Sequence, residues 1–108
     1  MEIKQKQVIQ SVANALQYIS YYHAPDFIKA MANAHEKETH QSAKNAIAQI
    51  LINSKMAALG QRPMCQDTGI VNIFVEVGMG ITWDADLSLD DMINEGVRQA
   101  YTNPENPL

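Results

Sequence analysis

The sequence predicts an α+β fold that is mainly helical. It has about four helices, with one strand or a short hairpin after the third, and makes a partial domain. Three observations carry this. Apolar residues recur at spacings of three and four in four separate stretches, the pattern of helices with one buried face. Val71, Ile73, Val75 and Val77 alternate with Asn72, Phe74 and Glu76, the pattern of a half-buried strand. The stretch from Tyr101 to Leu108 carries two Asn-Pro pairs and breaks the last helix with no closing element, so the chain is expected to be a piece of a larger domain.

The first helix is expected from about Ile3 to Tyr22, on a stripe of Val8, Val12, Ala15, Leu16, Ile19 and Tyr22. Ala24-Pro25-Asp26 interrupts it. Pro25 suits the first turn of a second helix, where its missing N–H costs nothing, and Asp26 favours the positive end of the helix dipole. Phe27, Ile28, Met31, Ala34 and His35 give that helix its buried side. Ser42 is a candidate N-cap for a third helix, on Ala43, Ala46, Ile47, Ile50, Leu51, Ser54 and Ala58, with Gly60 as its C-terminal cap. A strand follows over Ile70–Val77, then a Gly78-Met79-Gly80 turn and a short second strand over Ile81–Trp83. Ser88, with Asp91 three residues on, starts a fourth helix whose stripe is Leu89, Met92, Ile93, Gly96, Val97 and Ala100.

Composition sets limits on function. A hydrophobic fraction of 46% and a charged fraction of 19% describe an ordinary soluble globular chain. A net charge of -4, with scattered lysines and only Arg62 and Arg98 as arginines, argues against a nucleic-acid partner. No apolar run approaches the roughly 20 residues of a membrane span, and the first residues lack the apolar core of a secretory signal. No membrane partner is expected. A single cysteine excludes an internal disulfide and fits a reducing compartment, so the expected location is cytoplasmic.

That cysteine, Cys65, lies in Arg62-Pro63-Met64-Cys65-Gln66-Asp67-Thr68-Gly69, between the third helix and the alternating run. Three readings of it are open. It is a small buried hydrophobe, a nucleophile served by a histidine base, or one thiolate ligand of a metal centre completed from elsewhere. His23, His35 and His40 all fall in the helical region, and nothing in the sequence places one beside Cys65. As a ligand, Cys65 would have Gln66 and Asp67 next to the metal as donors or carboxylate for a polar substrate. Tyr18, Tyr21 and Tyr22 read as an aromatic edge between helices. Asp84 and Asp86 read as solvated loop acids.

The stretch from Arg62 to Gly69, preceded by Ala48-Gln49-Ile50-Leu51-Ile52-Asn53-Ser54 and followed by Ile70 to Gly78, resembles the N-terminal part of class I fumarate hydratases. These are the oxygen-sensitive iron–sulfur fumarases. Ala15 to His23 and Asn103 to Leu108 are similar to the same family, so the resemblance covers nearly the whole chain. The Cys-Gln-Asp-Thr-Gly core is shared with iron–sulfur tartrate dehydratases.

The resemblance implies that residues 1–108 are an N-terminal fragment of the catalytic region of a hydro-lyase. The parent adds water reversibly to fumarate, giving (S)-malate, a step of the tricarboxylic acid cycle. It implies a [4Fe-4S] cluster held by three cysteines far apart in the parent, with one iron open to substrate. Cys65 matches the first of these metal ligands. Gln66 and Asp67 match substrate-binding positions beside the cluster, and Thr68 and Gly69 shape the turn. No catalytic residue is assigned within this chain. The other two cysteines, the basic residues for the carboxylates and the catalytic base are expected beyond Leu108. The fragment alone is therefore expected to be inactive and to lack the cluster. The parent is expected to be a homodimer, and the fragment to self-associate through apolar surface left exposed. Two alternatives stand beside this reading: the cluster-binding part of an L-tartrate dehydratase or related hydro-lyase, and a non-catalytic helical interaction module with a structural cysteine.

Overall fold

Four amphipathic stretches become four helices, and two three-residue strands join the chain's first residues to the region before the last helix. The computed structural model describes residues 1–65, 69–106 and 108. The order is β1 (Glu2–Lys4), α1 (Gln5–Tyr21), α2 (Pro25–Lys37), α3 (Gln41–Gly60), β2 (Thr82–Asp84) and α4 (Leu89–Tyr101). The mainly helical α+β class expected from the sequence is the one observed. The chain divides into two compact units, Met1–Gln17 with Asp67–Leu108, and Tyr18–Gln66.

In the first unit β1 and β2 run parallel, with Glu2 opposite Thr82, Ile3 opposite Trp83 and Lys4 opposite Asp84. The strand after the third helix is therefore β2, and its partner is the start of the chain. The Gly78–Gly80 turn is present, closed by Ile81 N–H to the Gly78 carbonyl at 3.2 Å. The strand expected over Ile70–Val77 is not formed: these residues belong to no helix or strand. β-propensity states which side chains suit a pleated surface, but a strand also needs a second backbone in register. None stands beside this segment among the described residues.

The side chain of Gln5 ties the end of β2 to the start of α1, its Oε1 accepting from the N–H groups of Asp86 at 2.9 Å and Leu87 at 3.0 Å. Ser88 caps α4 as its position predicts. Its Oγ accepts from Asp91 N–H at 3.1 Å and donates to Asp91 Oδ2 at 2.8 Å, which occupies one of the orphan donors of the first turn. Met92, Gly96 and Ala100, three members of the expected stripe, are the buried residues of α4. Ala13, Leu16 and Ala100 form the core, with Val12, Val71, Val97, Tyr101 and Leu108 packed around them. At the far end Gln17 Nε2 donates to the carbonyls of Ala100 at 2.9 Å and Asn106 at 2.8 Å, which fastens the Asn-Pro segment back onto α1.

In the second unit α2 and α3 pack on each other. Pro25 does open α2. Its expected buried side is only half-buried at Ile28, Met31 and His35, and exposed at Phe27 and Ala34. The N-cap of α3 is His40, not Ser42; the Ser42 hydroxyl instead pairs with His40 Nδ1 at 2.8 Å. Gly60 is the last helical residue, and the left-handed cap position falls on Gln61 at φ 47°. No helix among the described residues is long and apolar enough to cross a membrane.

Two measurements check this packing. A Cβ at Gly96 would lie 2.7 Å from Val12 Cβ and 2.8 Å from the Ile9 carbonyl oxygen, so α1 and α4 touch through backbone. Gly96→Ala should destabilise the fold by about 1–3 kcal/mol, read as a lower urea midpoint at unchanged slope, overpacking outweighing the better helix propensity of Ala. An unchanged midpoint would contradict the close approach. On the exposed face of α4, hydrogen bonds from Arg98 and then Gln99 hold the Glu95 carboxyl down at about 2, from an ordinary 4.5. The depressed value means that Glu95 supports α4 above pH 4.5 and loses that support as pH falls through about 2. A carbon-detected titration should place the Glu95 midpoint near about 2, and Arg98→Met should return it towards 4.5. A midpoint near 4.5 in the unsubstituted chain would remove the bridge from α4.

Candidate functional site

The site is the short run that leaves α3 and reaches Cys65. Helix α3 ends because Gln61 turns left-handed, and its N–H still reaches the Ala57 carbonyl. Arg62 N–H follows onto the same carbonyl at 3.1 Å. The backbone is then held at each of the next two donors after Pro63. Met64 N–H donates to the Ser20 carbonyl at the end of α1, at 2.8 Å, and Cys65 N–H donates to Asn53 Oδ1 on α3, at 3.0 Å. Proline has no N–H to satisfy, so every backbone N–H from Gln61 to Cys65 is engaged.

Burial within this run is confined to one residue. Met64 is buried, at 3% exposure, while Cys65 next to it is exposed. Burial of a methionine side chain stabilises by about 1.5–3 kcal/mol, enough to keep that residue inward and its successor outward. The small-hydrophobe reading of Cys65 is thereby corrected. The nucleophile reading lacks its base: among the described residues no histidine hydrogen-bonds the Cys65 thiol. His40 is engaged with Ser42. His23 stacks on Phe27 with ring centroids 4.3 Å apart, and its Nδ1 meets the buried Ser54 Oγ at 2.9 Å. That pair lines a cavity of about 250 Å³ with Tyr22, Leu51 and Lys55, and binds the α1–α2 turn to α3.

The three tyrosines cluster as expected at the end of α1. Tyr22 packs on Tyr18 at 4.8 Å and edge-on to Tyr21 at 6.2 Å. Tyr21 is buried, which pushes its hydroxyl pKa up, and the nearby Arg62 charge opposes this. Arg62, from the same run as Cys65, thus lies close to the Tyr21 ring.

Gln66 and Asp67, the expected substrate-binding residues, lie outside the described residues, as does Thr68. Asn53 is the residue whose role went unread. The hint was a polar residue beside the buried face of α3, but only the fold brings it under a backbone N–H twelve positions away. Among the described residues no three of His, Cys, Asp and Glu converge on one point.

The family model described as fumarate hydratase (Fumerase) matches residues 9–108. The chain is 34% identical over 79 residues to a putative L(+)-tartrate dehydratase subunit alpha of Methanocaldococcus jannaschii, a match covering 73% of this chain. The match spans 28% of that relative's length. No solved structure matches the chain. A hydro-lyase family leaves the helical interaction module without support.

The tie from Asn53 is open to test by hydrogen exchange. Asn53→Ala should speed exchange of the Cys65 amide about fivefold, the equivalent of roughly 1 kcal/mol for one hydrogen bond. Asn53→Asp keeps the acceptor and should keep the protection. Equal exchange in all three proteins would show that Asn53 does not hold the loop.

Proposed function

The chain belongs to the fumarate hydratase (Fumerase) family, and from that premise we propose that it is the N-terminal, cluster-binding part of an iron–sulfur hydro-lyase that interconverts fumarate and (S)-malate. The observation that carries the reading is the outward Cys65 thiol on a run whose backbone is fixed on both sides, by Ser20 and by Asn53. A ligand thiolate needs a solvent-side position and a backbone that does not wander, since metal–sulfur distances tolerate little error.

Cys65 would hold one corner of a [4Fe-4S] cluster. When bound, the cluster would supply Lewis acidity toward the substrate. The work of this chain is positional. Met64 anchors the run, Asn53 orients the Cys65 backbone, and Gln66 and Asp67, next in sequence, would bind or orient the substrate. The remaining ligands and the proton-transfer group belong to protein outside these residues. Residues 1–108 alone are therefore a ligand-bearing piece without turnover.

A second reading rests on the tartrate dehydratase relative. Removal of water from a 2-hydroxy dicarboxylic acid makes the same demand on Cys65, and the substrates differ by a hydroxyl group. The ratio of kcat/KM for (S)-malate to that for L(+)-tartrate, measured on an enzyme containing this region, distinguishes the two. Preference for tartrate would replace the fumarate assignment.

Two outcomes test the shared part. Cys65→Ser in such an enzyme should lower hydration by at least a thousandfold and diminish the cluster's visible absorption, and near-normal turnover would remove Cys65 from the ligand set. Residues 1–108 reconstituted anaerobically with iron and sulfide should hold no stoichiometric cluster. A stable four-iron spectrum from the monomeric chain would show that a complete ligand set lies within it.

A further inference from the structure

We propose that the cavity between the α1–α2 turn and α3 binds a short-chain monocarboxylate, and that its occupant steadies the run carrying Cys65. The inference does not depend on the enzymatic reading. All of the cavity's lining comes from one unit, Tyr18–Gln66. Ile28, Leu51 and Ala58 make it apolar, while His23, Ser54 and Lys55 bring polar groups to it. No carboxylate lines the cavity, and Lys55 has no ion-pair partner among the described residues. Ser54 is buried, and its hydrogen bond to His23 Nδ1 at 2.9 Å leaves the hydroxyl capacity for another. Apolar walls, an ammonium without a counter-charge and a buried hydroxyl together select an anion with a hydrocarbon body. A volume of about 250 Å³ equals roughly eight waters at about 30 Å³ each, the size of an acid of about six carbons. Inorganic phosphate would leave the apolar walls wet.

Protein outside these residues has a different face of α3 to cover. Leu51, Ser54, Lys55 and Ala58 form one stripe, the one that lines the cavity. The exposed apolar residues Ile52, Met56 and Leu59 lie one position on from it, about 100° round the helix. The cavity also shares its walls with both ties of the Cys65 run. Ser20, whose carbonyl holds Met64 N–H, comes just before Tyr22 and His23 on one wall. Asn53, whose side chain holds Cys65 N–H, adjoins Ser54 on the other. A ligand held by the turn and α3 together binds only while those elements are joined, so it opposes the opening that frees both amides.

Amide shifts of the chain titrated with acetate, butyrate and hexanoate should map onto His23, Ser54 and Lys55. Affinity should rise about fourfold per methylene, the gain of one buried CH₂, and level off beyond about six carbons. Butyramide, the neutral isostere, and inorganic phosphate should each bind about fivefold or more weakly than butyrate. Lys55→Met should lose about fivefold in butyrate affinity and Lys55→Arg should keep it, with helix content unchanged in both because Lys55 is exposed. With hexanoate at about ten times its Kd, exchange of the Met64 and Cys65 amides should slow about tenfold. Equal affinity across the acids, butyramide or phosphate as tight as butyrate, or binding indifferent to Lys55→Met would each overturn the ligand class. Unchanged exchange at saturation would overturn the link to Cys65. A longer form of the protein that binds none of the acids would assign the cavity to a side chain of the remaining protein and overturn the proposal.

Discussion

Burial of Met64, with its N–H held on the Ser20 carbonyl, is the constraint on which the functional reading depends. One residue later the chain must face the other way, and Cys65 does. Without that anchor the run after α3 would be an exposed loop, and the thiol would have no defined direction. Asn53 completes the arrangement by accepting from the Cys65 N–H, so both donors flanking the change of direction are satisfied. The left-handed turn at Gln61 begins the same sequence of events. A conformation that ordinarily favours glycine is imposed on a glutamine beside Gly60, which implies that the surrounding hydrogen bonds outweigh a local cost of about 1–2 kcal/mol.

The other unit is built on close approach rather than on bulk. Gly96 lets α4 meet the backbone of α1 at Ile9, and the small residues Ala13 and Ala100 continue the contact into the core around Leu16. Small side chains bring helix axes together but bury little area each, so the polar ties from Gln5 and Gln17 matter at the two ends. They satisfy backbone groups at element boundaries, where helices and loops otherwise leave them open.

Beside this economy the segment Ile70–Val77 stands out, since it carries much apolar surface and its backbone groups have no hydrogen-bond partner among the described residues. Ile52, Met56 and Leu59 on α3 are exposed as well.

Much of this was legible from residues alone. The helices follow from apolar spacing, the start of α4 from Ser88 and Asp91, the start of α2 from Pro25, and the candidate ligand from a lone cysteine in a polar run. These are local matters: a turn of helix or a cap is decided by side chains a few positions apart. What the sequence could not settle were the encounters between distant positions. Thr82–Asp84 lies on the short strand expected over Ile81–Trp83, but its partner Glu2–Lys4 falls at the start of the expected first helix, because a strand's partner is chosen by the packing that brings two backbones together. Asn53 meets Cys65, and Ser20 meets Met64, for the same reason. Cys65 was named by the sequence as the candidate; that its thiol faces outward was decided only in the tertiary structure, by the residue before it being drawn into the interior.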